Sequence, residues 1–349
     1  MRAVVIEQFG QRPEVREVPA PVAPPGGVVL DVEATGLCRS DHHAFAGHDG
    51  DVTLPHVPGH ELVGRVAALG EGVTSVRVGD RVTTPFVEGC GRCRWCRAGA
   101  SQICPDQTQP GFTHDGSWAE QVVIRAADHN LVPVGEDLPA EAVVTLGCRF
   151  ATAYRGLNGR AGLRAGETVA VIGCGGVGLS AVMIAAALGA RPIAVDIDPG
   201  ALALARAHGA AETVDSRGAD GRGLEPAAVA DAIIAAAGER PTVTVEALGR
   251  EATTDAALLA LAPLGRHVQI GLYAAPPRLA MPRVISQELA VLGSHGMAAA
   301  DYPGLLDLVR DGSLRPQDLV TRTISLEEAC DALVELGERT RPGVTIIRP

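Results

Sequence analysis

Residues 168–190, "TVAVIGCGGVGLSAVMIAAALGA", constrain the fold of this chain more than any other run. They carry no charge and could span a bilayer by length alone. Five glycines interrupt them, four between 173 and 178. A buried strand, a glycine turn and a buried helix therefore explain the run better than a membrane helix. The turn fits G-x-G-x-x-G through Gly173, Gly175 and Gly178, with Gly176 and Val177 between them at the start of the helix. Gly173 permits the tight turn, Gly175 lets backbone approach a pyrophosphate, and Gly178 lets helix and strand pack closely. The helix N-terminus offers unpaired N–H groups to phosphates. The next strand ends at Asp196, where an acid can meet ribose hydroxyls. Its carboxylate would repel a 2′-phosphate, and Ile197 and Asp198 add no cation, so NAD(H) is expected rather than NADP. The competing reading is a glycine turn in a core without ligand, with Asp196 as a helix cap. Having strand, glycines, helix and acid in register argues against it.

From 168 onward strand-like and helix-like runs alternate. The helical ones are 176–188, 199–208, 226–237, 251–261 and, after the strands, 301–311. This predicts an α/β unit with a doubly wound parallel sheet. Residues 1 to about 135 read differently: short apolar runs at 3–6, 28–32, 62–69, 78–83 and 118–124, separated by Gly and Pro, predict a β-rich domain. A helix is expected over 139–158, beginning with Pro139. The last helices (301–311 and 326–336) and the strand in "GVTIIRP" are expected to return to the first domain.

A length of 349 residues suits about two domains. The net charge of −11 and the lack of a polybasic run exclude a nucleic-acid partner. "MRAVVIEQFG" reads as a first strand, not a signal peptide. Without a signal or membrane segment, a cytoplasmic protein with reduced thiols is expected.

Four of the eight cysteines, Cys90, Cys93, Cys96 and Cys104, fall in one short stretch. Their spacing lets four thiolates converge on one tetrahedral ion, which describes a closed, structural zinc site. An iron–sulfur cluster is the competing reading. A C-x-x-C redox pair would leave two thiols unexplained. A second set is dispersed: Cys38 in "GLCRSDHHAF", His60 and Glu61 in "PHVPGHELVG", and Cys148 in "TLGCRFATAY". Spacing alone does not bring 38, 60 and 148 together.

In their order, "GLCRSD", "PGHELVG", the four-cysteine lobe, "GCGGVG" and the terminal strand resemble the zinc-containing medium-chain alcohol dehydrogenases over essentially the whole chain. The resemblance implies a GroES-like catalytic domain from residues 1–153 and 290–349, a structural zinc lobe at about 88–106, and a Rossmann domain over 154–289. It implies that Cys38, His60 and Cys148 hold a catalytic zinc, the family's established Cys₂His set, so two Zn²⁺ per chain. Glu61 then lies beside the metal and can enter its shell, and Asp41 orients His60. Ser40 hydrogen-bonds the substrate alcohol and His43 relays its proton. Arg39 meets the pyrophosphate, Thr152 lies near the nicotinamide, and Phe86 lines the substrate pocket. His42, His48 and His56 are expected on the surface or in support, Cys174 and Cys330 in packing, and Trp95 over the metal or at a subunit contact. The resemblance also implies a small alcohol or carbonyl substrate and a homodimer or homotetramer. A zinc-independent enone or quinone reductase, and a non-catalytic protein on the same fold, are the alternatives. Retention of Cys38, His60 and Cys148 argues against the first, and two complete sites argue against the second.

Overall fold

A computed structural model describes residues 1–218, 221, 223–338 and 342–349. Arg2–Val5 (β1) and Glu14–Glu17 (β2) pair as an antiparallel ribbon. Val28–Leu37 (β3), Leu62–Leu69 (β4), Arg81–Thr83 (β5), Gln121–Ile124 (β6) and Val132–Pro133 (β7) form most of a second sheet. Val28, Leu30, Leu62, Val66, Val82, Val122 and Ile124 pack its core. The expected run at 78–83 is a strand only from Arg81, whereas β3 extends beyond the expected 32 to Leu37. Short helices follow the strands: Arg39–Phe45 (α1), Arg94–Arg97 (α2), Ala127–Asn130 (α3), Ala140–Thr145 (α4) and Arg149–Tyr154 (α5). The continuous helix expected over 139–158 is therefore interrupted, and Cys148 sits in the break. A π-helical turn over Arg155–Arg160 follows α5.

Six strands then form one parallel sheet: Thr168–Ile172 (β8), Arg191–Asp196 (β9), Glu212–Asp215 (β10), Val243–Glu246 (β11), Arg266–Gln269 (β12) and Ala290–Gly293 (β13). Their order is β10-β9-β8-β11-β12-β13. Chain order reverses between β8 and β11, the switch point at which such sheets bind ligands beyond the strands' carboxyl ends. The connecting helices are Gly176–Ala187 (α6), Pro199–Ala207 (α7), Pro226–Ala237 (α8), Glu251–Ala260 (α9) and Met281–Ser286 (α10). α6 is buried from Gly178 to Ala185, which accounts for its uncharged sequence. Among the described residues no helix is long and apolar enough to cross a membrane.

Tyr302–Arg310 (α11), Val320–Ile324 (β14), Leu326–Glu338 (α12) and Val344–Ile347 (β15) complete the chain. β15 pairs antiparallel with the last residues of β3, Ile346 opposite Gly36. The two compact units are Met1–Ala151 with Gly296–Arg310 and Arg315–Pro349, and Thr152–His295 with Asp311–Leu314. The expected boundary at 289/290 moves to 295/296 because β13 pairs with β12 and completes the parallel sheet.

Helix α3 ties the four-cysteine stretch to the first unit. The Asn130 amide exchanges two hydrogen bonds with the backbone of Gly89, each 2.9 Å. On its outer side Asp128 accepts from the N–H and hydroxyl groups of Thr74 and Ser75 at 2.8–3.2 Å. Hydrogen bonds led by the Ser75 N–H hold the Asp128 carboxyl down at about 2. A carboxylate depressed on folding stabilises above its unfolded value, and that contribution is lost as pH falls through its folded value. At neutral pH, Asp128→Ala is expected to cost about 1 kcal/mol, small because the site is exposed. The Tm gap to wild type should shrink as pH falls from about 4 towards about 2. A gap that is constant across that range would contradict this account.

Candidate metal centres and nucleotide site

The four-cysteine stretch folds into a small lobe around α2. Cys93 caps α2, its sulfur accepting from the Cys96 N–H at 3.4 Å, and Cys104 Sγ accepts from the Cys90 N–H at 3.4 Å. All four sulfurs lie within 4.8 Å of one another. Cys93 Sγ is 3.5 Å from Cys96 Sγ and 3.7 Å from Cys104 Sγ. Those separations are too long for disulfides. They match the edge of a tetrahedron, about 3.8 Å, that follows from a Zn–S distance of about 2.3 Å. A polynuclear iron–sulfur cluster places its cysteines on different irons and holds their sulfurs further apart. N–H groups of Arg92 and Cys93 pull the Cys90 thiol down to about 6, whereas burial pushes Cys104 up to about 12. A divalent ion would relieve the mutual repulsion of four thiolates. Trp95 lies on the lobe's surface, its ring 4.4 Å from the Arg94 guanidinium carbon.

The dispersed set also converges, entirely within the first unit. Cys38 stands where β3 gives way to α1, His60 precedes β4, and Cys148 fills the break between α4 and α5. Their donor atoms lie within 4.8 Å of one another. Asp41, fully buried in the first turn of α1, organises two of the three segments. One carboxylate oxygen accepts from the Cys38 N–H at 2.8 Å, and the other pairs with His60 Nδ1 at 2.9 Å. That bond places a proton on Nδ1 and leaves Nε2 a bare acceptor. His60 Nε2 is buried and has no hydrogen-bond partner among the described residues. An unpaired buried acceptor facing two thiols fits a soft divalent cation such as Zn²⁺. Burial opposes charge on the ring, but the charge and hydrogen bond of Asp41 raise the His60 pKa well above its usual value without a metal, so a cation binding at Nε2 displaces a proton from it.

Around this set, Phe86 meets the His60 ring with centroids 6.0 Å apart and packs with Cys38 and Cys148. Phe112 meets the same ring with centroids 5.2 Å apart, a contact the sequence did not announce. Ser40 Oγ lies 3.7 Å from Cys38 Sγ. His43 is exposed and stands beside His48, ring centroids 5.7 Å apart. Glu61 accepts from Arg149 Nε at 2.9 Å and from Arg149 Nη2, forming a buried ion pair. Arg149 went unrecognised in the sequence, although it directly follows Cys148. Arg39 donates to the Leu336 carbonyl at 2.8 Å. His56 bonds the Gly111 carbonyl at 2.7 Å and His42 packs on Phe45, so neither joins the ligand sets. Cys174 and Cys330 are buried outside them.

In the second unit, Gly173 has φ +92° and a side chain on Gly178 would lie 1.7 Å from the Gly173 carbonyl oxygen. Turn and close packing therefore require both glycines within the chain itself. Gly175 differs: a side chain there would meet nothing within 4 Å, so the fold alone does not demand glycine. A ligand approaching the start of α6 would supply a reason. Gly176 and Val177 form the half-buried first turn of α6 with their N–H groups at the helix end. Asp196, at the end of β9, accepts from the N–H groups of Cys174 at 2.6 Å, Ile197 at 2.7 Å and Asp198 at 2.9 Å. It thus ties the glycine turn to the next loop besides any ligand it binds. Leu248, after β11, packs over Gly173. Thr152 is buried, its carbonyl accepting from Ser294 Oγ at 3.0 Å.

These features, a Rossmann-type parallel sheet joined to a β-rich unit with two metal-competent sites, define a class of two-domain oxidoreductase. Residues 24–136 match the alcohol dehydrogenase GroES-like domain and residues 176–311 the zinc-binding dehydrogenase domain. The chain is 32% identical to an alcohol dehydrogenase of Geobacillus stearothermophilus over 98% of its own length and 96% of that protein. It is 31% identical to the acryloyl-coenzyme A reductase of Metallosphaera sedula over 99% of each. A match to an alcohol dehydrogenase of Moraxella sp. (strain TAE123), 37% identical, spans 63% of this chain and 65% of that one. The solved structure of alcohol dehydrogenase TADH from Thermus sp. ATN1 superposes with a TM-score of 0.87 at 32% identity, covering 100% and 99% of the two chains. The chain belongs to the zinc-type medium-chain dehydrogenase/reductase family.

Proposed function

We propose that this protein is a zinc-dependent, NAD(H)-linked alcohol dehydrogenase that interconverts a primary or secondary alcohol and its aldehyde or ketone. The observation that carries the reading is the unpaired, buried His60 Nε2 set against the thiols of Cys38 and Cys148. Those three residues would hold the catalytic ion, and Cys90, Cys93, Cys96 and Cys104 the structural one. Bound Zn²⁺ supplies Lewis acidity that favours an alkoxide over an alcohol and polarises a carbonyl, and bound NAD⁺ supplies the hydride acceptor.

The chain's own residues orient the substrate and move the proton. Asp41 fixes the His60 tautomer. Ser40 Oγ, beside Cys38, accepts the substrate's hydroxyl proton during oxidation as it gives up its own towards His43, and the exchange reverses during reduction. Three residues along α1, His43 passes that proton to water. Although the residue is exposed, partial desolvation of its ring, then the charges of His48 and Arg39, hold it below the usual histidine value, so it is a neutral acceptor at pH 7. Phe86 presents an apolar surface to the substrate carbon.

Asp196 is the basis for NAD(H). Its remaining acceptor site, on Oδ2, accepts from a ribose hydroxyl, and its charge would repel a 2′-phosphate. Asp196→Asn keeps one acceptor oxygen for the Ile197 and Asp198 N–H groups, gives up the acceptor for the Cys174 N–H and removes the charge. The ratio of kcat/KM for NAD⁺ over NADP⁺ should fall about 10–100-fold, the scale of one charge-assisted hydrogen bond. Wild-type preference for NADP⁺, or an unmoved ratio, would remove Asp196 from the cofactor site.

Similarity to an acryloyl-coenzyme A reductase favours a second reading, reduction of an activated carbon–carbon double bond. A panel of alcohols, aldehydes, ketones and enoyl thioesters, followed by nicotinamide absorbance, separates the two. Chelator-sensitive turnover of alcohols and carbonyls supports the first reading. Chelator-resistant turnover confined to enoyl thioesters supports the second.

A further inference from the structure

We propose that Arg149 is a positioning residue of the catalytic metal centre, clasping all three ligand-bearing segments and holding the Glu61 carboxylate away from the ion. The proposal rests on the reading of Cys38, His60 and Cys148 as metal ligands. Every arm of the clasp ends one residue from a ligand. Arg149 itself follows Cys148. Its Nε donates to Glu61 Oε1 at 2.9 Å and its Nη2 to Glu61 Oε2, and Glu61 follows His60. Nη2 also donates to the Leu37 carbonyl at 3.1 Å, and Leu37 precedes Cys38. The Arg149 backbone N–H reaches Glu61 Oε1 at 3.3 Å, so main chain and side chain grip the same carboxylate.

Both partners are removed from solvent, with Glu61 0% and Arg149 3% exposed. Water therefore neither screens the pair nor replaces it. Glu61 is also seated by shape. A Cβ on Gly36 would come within 2.4 Å of Glu61 Oε2, so the carboxylate occupies the space that any larger residue at 36 would take. The Gly36 N–H donates to the Glu61 carbonyl at 2.8 Å, fixing the segment from its backbone as well. A lysine could supply the charge but not the planar fork that reaches two carboxylate oxygens and a carbonyl at once.

The need for a cation follows from local charge. The thiolates of Cys38 and Cys148 would hold a divalent ion, with the carboxylates of Asp41 and Glu61 bonded to His60 and Arg149 beside them. Three protein ligands leave the fourth tetrahedral position to water or substrate. Without Arg149, Glu61 becomes an unpaired buried carboxylate that must take up a proton or turn to the ion. The second course fills the position the substrate needs. Arg149 thereby keeps a three-ligand site from becoming a four-ligand one.

The test uses full-length protein with Co²⁺ in place of Zn²⁺, because the Co²⁺ spectrum reports thiolate ligation and coordination number. Subtracting the spectrum of Cys38→Ala isolates the dispersed site from the four-cysteine site. Arg149→Met should weaken Co²⁺ retention against a chelator at the dispersed site about 10–100-fold, as losing a ligand-orienting partner does. Its visible bands should shift from those of wild type, as a carboxylate takes the place of water at the fourth position. Arg149→Met/Glu61→Gln should restore the wild-type band shape, since no carboxylate remains to turn. Arg149→Lys should fall between wild type and Arg149→Met in retention. It carries the comparison with the double variant if Arg149→Met does not fold. Wild-type retention and band shape in the Arg149 variants, or a double variant no closer to wild type than the single, would overturn the clasp. Absence of any Cys38-dependent thiolate–Co²⁺ band in the unmodified chain would instead overturn the metal-ligand reading beneath it.

Discussion

Cys38→Ala is expected to abolish turnover while leaving a folded protein that retains one zinc of two. The substitution removes one of the three donors that converge in the dispersed set. Two remaining donors hold an ion poorly, and the charge developing on the substrate oxygen loses its stabiliser. A fall in kcat/KM of at least about 10²–10³-fold follows, the scale for removing one such electrostatic partner. The fold should survive because Cys38 is a small residue at a strand end and Ala leaves little cavity. His60→Ala would be a poorer test. It deprives Asp41, fully buried, of the partner at one of its oxygens, and breaking a buried pair costs about 3–5 kcal/mol. Turnover, zinc content and Tm measured on one preparation check the prediction. A Cys38→Ala protein with wild-type turnover would remove Cys38 from the catalytic site.

Cys93→Ala should produce the opposite pattern, a large loss of stability from a residue that takes no part in the chemistry. Cys93 sits at the centre of the lobe, with sulfur contacts to Cys96 at 3.5 Å and Cys104 at 3.7 Å and the cap of α2. The lobe has little apolar core of its own. Cys96 and Cys104 are buried, whereas Ile103 and Trp95 face outward. Without hydrophobic burial to order it, the metal bonds must do so, and binding energy of that kind becomes folding energy. Losing one thiolate should therefore cost several kcal/mol, release one zinc per chain, and expose the lobe to proteolysis while the parallel-sheet unit stays folded. Calorimetry with limited proteolysis checks this. An unchanged Tm with full zinc content would show that the lobe does not depend on its metal.

The parts of this architecture that were legible in the sequence are those whose information is local. α6, α8 and the strands around them carry their apolar runs and glycine punctuation within a dozen residues. The four-cysteine lobe is equally self-contained, because its ligands are brought together by tight turns alone. The dispersed set was legible only through family resemblance, since the long-range pairings that assemble it span most of the chain. β15, for example, aligns with the end of β3 just before Cys38. The Glu61–Arg149 pair joins residues 88 positions apart, and no spacing rule announces it. The break at Leu146–Cys148 was hidden for another reason. "VVTLGCRFATAY" keeps helical spacing throughout, so only the tertiary demand that Cys148 face Cys38 and His60 separates α4 from α5. The β13 assignment failed at the domain boundary because a strand's sequence does not say which sheet it will join.

The central claim is that one chain carries two zinc ions, only one of which is needed for alcohol–carbonyl interconversion. Metal content and NAD-linked turnover should be followed together as a chelator removes metal stepwise from the native protein. The account predicts two zinc per chain at the outset, from the two converging donor sets. Turnover should disappear as the first zinc leaves, with Tm nearly unchanged, and return on adding Zn²⁺. Iron in place of zinc, a single zinc per chain, or turnover that persists after the first zinc has gone would contradict it.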